Sequence, residues 1–434
     1  MASVRIDPAS SATRASIRPP GSKSITNRAI VCAALAVGTS ELSGVLDSED
    51  TAVMIEAWQH LGLHLLHDKA KQTLVIDGGG GKTGVKNAEL FVANSGTTIR
   101  FLTAALASCE GRFRLDGVAR MRERPIADLL TALRQLGAKV ESENREHPNC
   151  PPVLIEASGL VGGRATVSGD ISSQFLSGLM MAAPMAKSDV ELHVMGELVS
   201  VPYVLMTAEV MRAFGAEISG ESHGPFKISA AKKYQAAKYA IEPDASAASY
   251  FWAAGAITGG AATVEGLSRT SLQGDVRFCE CLEQMGCKVD YKSDSVTVFG
   301  RKLIGIDVDM SDISDTVQSL AAVAMFAEGP TTVRGVAHNR VKETDRISDL
   351  ACELRKLGAV VEEFHDGLRI QPPKKIIPCE IETYRDHRMA MSLALVALRC
   401  AGLTILDPDC TAKTYPNYWN DLASFTGCGV RRLD

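Results

Sequence analysis

No apolar run in the sequence reaches the roughly 18 residues needed to span a bilayer, so no transmembrane helix is predicted. Nor is a secretory leader predicted. The opening MASVRIDPASSATRASIRPP carries three Arg and one Asp but no apolar segment, and a transit peptide is normally longer. A cytoplasmic protein is expected. The eleven cysteines contain no Cys-x-x-Cys pair, and the one Cys-x-Cys, Cys279 and Cys281, lies in a helical pattern. That argues against a disulfide framework or a zinc site and points to small core residues in a reducing compartment. Charge of one sign is also lacking: 46 basic and 51 acidic residues are well mixed and leave a net charge of −5. A general nucleic-acid-binding surface is therefore not expected. Finally, VIDGGGGKTG at 75–84 is no nucleotide loop, because G-x-x-x-x-G-K-[ST] ending at Lys82-Thr83 requires Gly where Ile76 stands. With no Rossmann fingerprint and no acidic metal-binding set either, ATP, NAD and metal are not predicted, and the glycine run reads as a surface turn.

What the chain does have is repetition. Its 434 residues, 46% hydrophobic, exceed one compact core and suggest two domains of about 200 residues each. An amphipathic helix ending in Gly and running into a strand recurs six times, with glycines at 62, 137, 215, 286, 358 and 427. A Gly just past the last apolar position supplies the left-handed C-cap that turns the chain into the next strand. A second signature is a polar cluster opening an Ala-rich apolar helix, anchored at Ser24, Ser95, Ser172, Asp244, Asp315 and Asp386. The spacing near 72 residues is too long for a solenoid and suits a β-α-β-α-β-β unit. Strand-like runs such as QTLVID, PVLIEA, SVTVFG and LTILD fill the intervals. Six units in two domains give three per domain, with a border expected in the polar segment AAKKYQAAKYAIEP at 230–243 and a second hinge strand at 18–22.

Every unit is predicted to bury one helix and to place polar residues at its N-terminus. Helix N-termini present free N–H groups and the positive end of the macrodipole, which makes them anion sites. Lys23, Arg28, Arg100 and Arg388 stand at four of the six ends, more cation than capping needs. RVKETDRISDLACELRKLGA, residues 340–359, adds an apolar stripe of Ile347, Leu350, Ala351, Leu354 and Leu357, with a helix expected from about Thr344. Arg340, Lys342, Glu343, Asp345 and Arg346 lead into it. Arg122 and Arg124, Arg385 to Arg388, and Lys413 complete a set suited to a substrate with several anionic groups, since Arg matches carboxylate and phosphate oxygens bidentately.

The motifs PGSKSITNRA, NSGTTIRFLTA, RERPI, SSQFLSGLM, GELVSVPY, DASAASYF, RVKETDR, DHRMAM and KTYPNYW together resemble the enolpyruvyl transferase family, in the branch that acts on shikimate 3-phosphate. The resemblance covers almost the whole chain. It implies an α/β fold, a two-domain inside-out α/β barrel of six β-α-β-α-β-β units. One domain would comprise residues 1–20 plus 241–434, the other 21–240, with helix N-termini converging on a cleft between them. It implies addition of the 5-hydroxyl of shikimate 3-phosphate to C2 of phosphoenolpyruvate with protonation at C3, then loss of phosphate, without metal or organic cofactor. It implies a monomer whose partners are those two small molecules, with no nucleic acid or membrane, and an enolpyruvate site that glyphosate can occupy.

By the same resemblance, shikimate 3-phosphate meets Lys23, Ser24, Arg28, Ser172, Ser173, Gln174, Ser200, Tyr203, Asp315 and Lys342. Phosphoenolpyruvate meets Lys23, Asn94, Gly96, Arg124, Gln174, Arg346, Arg388 and Lys413. Asp315 is the expected base for the 5-hydroxyl, with Glu343 and Lys23 as candidates for proton transfer at the enolpyruvyl carbon. A carboxylate between Lys342 and Arg346 should have its pKa pulled down. Phe101 follows Arg100 where many relatives have Pro, His338 and Asn339 lie where relatives vary, and Asp244 matches a motif position but reads as a helix cap. The sister branch, which acts on UDP-N-acetylglucosamine, carries a reactive Cys where Ala119 stands here. A non-catalytic phosphometabolite-binding protein would not need Asp315 and Glu343 inside the motifs.

Overall fold

The computed structural model describes residues 2–220 and 224–433. By its internal contacts the chain divides into two units, Gly21–Ile241 and a discontinuous one made of Met1–Pro20 with Glu242–Asp434. Among the described residues there are six four-stranded sheets, three in each unit, and all six share one pattern of a parallel pair followed by two antiparallel steps. In the first, Lys238–Ala240 runs parallel to Val37–Ser43, which pairs antiparallel with Thr73–Gly79, itself paired with His64–Asp68.

Each unit closes on itself through a strand borrowed from elsewhere in the sequence. In Gly21–Ile241 the borrowed strand is Lys238–Ala240, matched to Glu41–Ser43. In the other unit Arg14–Ile17 runs parallel to Ala261–Glu265, and Ser3–Ile6 lies between Thr404–Leu406 and Val430–Leu433. The polar segment expected as a border is therefore mostly structural. Lys233 donates to the carbonyls of Pro184 and Ala186 at 2.8 and 2.9 Å, and Tyr234 donates to that of Met181 at 3.0 Å. Its polarity belongs to an edge strand and to a cation satisfying the carbonyls past a helix end.

The six repeat glycines all adopt left-handed φ, between 68° and 103°, as a C-cap entering a strand requires. Six helices form the cores: Lys23–Leu35, Gly96–Ala107 and Ser173–Ala182 in one unit, Ala245–Thr258, Val317–Ala324 and His387–Ala394 in the other. Small Ala, Ser and Gly side chains let them lie against one another and be buried almost all round. The amphipathic helices, such as Ala127–Gln135 and Ser348–Lys356, bury one stripe only. The second of these begins at Ser348, four residues later than expected. The Asp345 carboxylate accepts from the N–H groups of Ile347 and Ser348, both at 3.1 Å, and Arg340 grips it from the other side at 2.8 Å. Residues 342–346 thus stay outside the helix, free of its side-chain directions.

Candidate functional site

In Gly21–Ile241 the N-terminal turns of the three buried helices are tied together by side chains. Asn27 donates to the Thr97 hydroxyl at 2.9 Å, Arg100 to the Gln174 amide oxygen at 2.7 Å, and Arg28 to the Ser177 hydroxyl at 3.3 Å. Three of the polar clusters therefore gather at one end of this unit. Ser22 caps the first helix by accepting from the Ile25 N–H, so Ser24 lies inside the first turn rather than at the cap; Ser95 and Ser172 cap the other two.

Arg28 is 1% exposed. It donates to the Thr207 hydroxyl at 2.7 Å and to the carbonyls of Ser24 and Tyr203 at 2.9 and 3.2 Å, with its guanidinium 5.1 Å from the Phe101 ring centre. Burial lowers its pKa to about 10. The departure at Phe101 thus supplies a flat face for a buried cation. Lys23 holds its ammonium 3.4 Å from Asp50. Arg124 donates to the carbonyl and side-chain oxygens of Asn94 at 3.0 and 3.2 Å. Gly96 opens its helix where space is short, because a Cβ there would lie 2.6 Å from Nη1 of Arg100 and 2.6 Å from Nη2 of Arg124. Ser200 sits in left-handed conformation, φ 55°, just ahead of Val201–Ala213, a local strain that functional sites tend to retain.

In the discontinuous unit a hydroxyl relay joins the buried helices, from Ser249 to Ser319 at 2.8 Å and from Ser319 to Ser392 at 3.3 Å. At the same end three cations converge on Asp315: Lys342 at 2.7 Å, Arg346 at 3.1 Å and Arg388 at 2.7 Å. Burial alone would raise the Asp315 pKa, but Arg388, Lys342 and Arg346 outweigh it and hold the carboxyl well below the usual carboxylate range. Burial pulls the Lys342 pKa below the ordinary lysine value, and Asp315 only partly restores it.

Arg346 is 2% exposed and carries three carboxylates, with Asp386 at 2.6 Å, Glu343 at 2.9 Å and Asp315 at 3.1 Å. Together they more than offset its burial and raise its pKa. Asp386 also caps His387–Ala394, accepting from the Arg388 N–H at 2.8 Å. One carboxylate thereby fixes both a helix end and the neighbouring guanidinium. Tyr384 and Arg385, just before it, are both left-handed, with φ 53° and 55°. Lys413 ends the Pro408–Lys413 turn beside this helix and is buried. Among the described residues, no group of three or more His, Cys, Asp or Glu side chains is placed to hold a metal ion, and no helix is long and apolar enough to cross a membrane.

The sequence model of the family described as EPSP synthase (3-phosphoshikimate 1-carboxyvinyltransferase) matches residues 8–422. The chain belongs to this family. A 3-phosphoshikimate 1-carboxyvinyltransferase of Shewanella denitrificans is 46% identical over 94% of this chain and 96% of its own. A chloroplastic one from Brassica napus is 47% identical over 94% of this chain and 83% of its own. Among solved structures, an EPSP synthase of Acinetobacter baumannii superposes with a TM-score of 0.83 at 26% identity, each chain covered completely. The two-domain α/β fold expected from the motifs is the fold of the family.

Of the residues that the resemblance singled out, Lys23, Ser24, Arg28, Asn94, Gly96, Arg124, Ser172, Ser173, Gln174, Ser200 and Tyr203 lie in Gly21–Ile241, and Asp315, Lys342, Glu343, Arg346, Arg388 and Lys413 in the other unit. Within the second set, Asp315, Lys342, Glu343, Arg346 and Arg388 form a linked cluster. Glu343 pairs with Arg346, whereas the Lys342 ammonium goes to Asp315 and to the Ser314 hydroxyl at 3.1 Å. Sequence reasoning misses Asp50, sets His338 aside as lying where relatives vary, and sees Asp386 only as an anchor of the repeat. Asp386 carried a signal, its place in the repeat. Asp50 carried none, being 27 residues from Lys23 and placed by a separate helix.

Proposed function

We propose that the residues of both units serve one reaction, transfer of the enolpyruvyl group of phosphoenolpyruvate to the 5-hydroxyl of shikimate 3-phosphate with release of phosphate. Family membership assigns the reaction. The observation that supports the residue assignment is the convergence of Lys342, Arg346 and Arg388 on one carboxylate. Cations gathered and oriented in advance suit substrates carrying phosphate and carboxylate groups, because their hydrogen bonds need little reorganisation when charge arrives.

In the proposed sequence Asp315 takes the proton of the 5-hydroxyl as its oxygen bonds to C2 of phosphoenolpyruvate, and Glu343 or Lys23 delivers a proton to C3. The tetrahedral adduct then loses a C3 proton and inorganic phosphate, regenerating the double bond. Arg124, Arg346, Arg388 and Lys413 hold the anionic groups of phosphoenolpyruvate beside Asn94, Gly96 and Gln174. Ser24, Arg28, Ser172, Ser173, Gln174, Ser200, Tyr203 and Lys342 hold shikimate 3-phosphate. Arg28, already spent on four protein acceptors, fits better as the strut that shapes this pocket than as its most exposed ligand. The same reading gives a cytoplasmic monomer, in keeping with mixed surface charge and eleven free cysteines.

The test is phosphate release with both substrates, each alone as control. Asp315→Asn keeps the shape and removes the base, so turnover should fall by about 10²–10⁴-fold. Unchanged kcat in the folded variant would remove Asp315 from the role, and no phosphate release by the parent chain would defeat the functional reading itself.

A further inference from the structure

The repeat puts an aspartate at equivalent points of the three buried helices in the discontinuous unit, and one of the three behaves differently. Asp244 and Asp386 are caps, accepting from the N–H groups of Ala247 and Arg388 at 2.9 and 2.8 Å. Asp315 is no cap. It lies in the Ser311–Thr316 turn, and Val317–Ala324 begins at Thr316 without a side-chain cap bond. Its two oxygens go to Lys342, Arg346 and Arg388 instead. The contrast with Asp386 is sharp, since both bind Arg346. Asp386 is 0% exposed, fixed to backbone and guanidinium at once, whereas the Asp315 side chain is 19% exposed.

The charges around Asp315 come from a loop, a helix with its cap, and a turn. Lys342, Glu343 and Arg346 lie in the 342–346 loop, Arg388 on its helix, Asp386 at that helix's cap, and His338 in the Ala337–Val341 turn. Lys342, Arg346 and Arg388 are balanced by Asp315, Glu343 and Asp386, with His338 neutral. Removing Asp315 therefore takes one of three negative charges away from among these three cations.

We propose that Asp315 is a resident anion, seated where a ligand's phosphate or carboxylate draws on the same cations, and that the ligand takes Lys342 and Arg388 from it. The inference rests on the functional reading above and adds a consequence. A carboxylate relieved of its cations inside an enclosed site regains proton affinity, so the base is switched on by the substrates it serves. Until then it keeps three cations together that would otherwise repel one another.

Sulfate tests this without substrates, because it is a dianion throughout the neutral range, and its general stabilisation by exclusion from protein surfaces is common to all the proteins compared and cancels between them. Thermal unfolding of the full chain is followed against sodium sulfate, with sodium chloride at matched ionic strength as reference, for the parent, Asp315→Asn and the exposed-pair control Asp307→Asn. Removing the competing charge should let sulfate stabilise Asp315→Asn at a concentration about tenfold lower than the parent needs, with Asp307→Asn like the parent. If Asp315→Asn is unfolded without sulfate, sulfate and not chloride should refold it. Equal sulfate midpoints for Asp315→Asn and the parent, an equal shift in Asp307→Asn, or a variant that no sulfate concentration refolds would overturn the proposal, whatever the phosphate-release assay shows.

Discussion

His338 offers a way to read the charged cluster through stability alone. It is buried, and burial first, then Lys342 and Arg346, lower its pKa from 6.5 to about 3, with Asp315 opposing. A histidine depressed in the folded state must take up a proton on unfolding once the pH drops below 6.5. The unfolded chain then binds more protons, so stability falls as pH falls from 6.5 toward 3. Taking 6.5 and 3 as the two pKa values, the loss between pH 7 and pH 4 comes to about 3 kcal/mol. The perturbation is His338→Gln, which puts a neutral amide of similar reach in place of the ring and removes the titration. Urea unfolding of both proteins is measured at half-unit steps from pH 7 to pH 4, and the difference in unfolding free energy is plotted against pH. Other acid-sensitive groups cancel in that difference. It should change by about 3 kcal/mol in favour of the variant as the pH falls. A difference that stays constant from pH 7 to pH 4 would show that His338 protonates as easily folded as unfolded, and the desolvation argument would fail with it.

Gly96→Ala puts a Cβ against Arg100 and Arg124, so the guanidiniums must move; KM for phosphoenolpyruvate should rise and glyphosate inhibition weaken, by about tenfold for one lost charge-assisted bond, while binding of shikimate 3-phosphate measured by titration changes least. Equal loss for all three ligands would place the effect in folding instead. Lys23→Met removes a cation held by Asp50 and should lower kcat as well as affinity; a change confined to KM would make Lys23 a binding group only. Arg28→Met leaves two hydroxyls and two carbonyls short of a donor and should cost about 3 kcal/mol in urea unfolding. Arg28→Lys should not restore it, lacking the planar fork.

The repeats were the most legible part of the fold, because each Gly C-cap and each Ala-rich helix leaves a local trace in composition and spacing. Ser95, Ser172, Asp244 and Asp386 could be placed as caps for the same reason. Asp315 shares their spacing and not their role, since what recruits it lies 27 to 73 residues away in Lys342, Arg346 and Arg388. The late helix start at Ser348 was hidden likewise: the apolar stripe reports which face is buried, and the Asp345 side chain decides where the helix begins. Position in a repeat reports geometry, and charge pairing across repeats is invisible to it.

The borrowed strands set an order of events during synthesis. Every partner that Gly21–Ile241 needs has been made once Lys238–Ala240 emerges to meet Glu41–Ser43. The discontinuous unit has no such early completion. Ser3–Ile6 is among the first segments made, yet it pairs with Thr404–Leu406 and Val430–Leu433. At about 5–20 residues per second, this strand waits on the order of tens of seconds with both edges open, while the intervening unit can already have folded. Nascent chains halted about 50 residues beyond Ile241, so that Lys238–Ala240 has left the ribosome, should therefore contain a protease-resistant core bounded by Gly21 and Ile241, beside an N-terminal segment still open to cleavage. The same arrangement makes the N-terminal strand a donor that a neighbouring nascent chain can capture, so crowded translation is where this fold is most exposed to strand exchange.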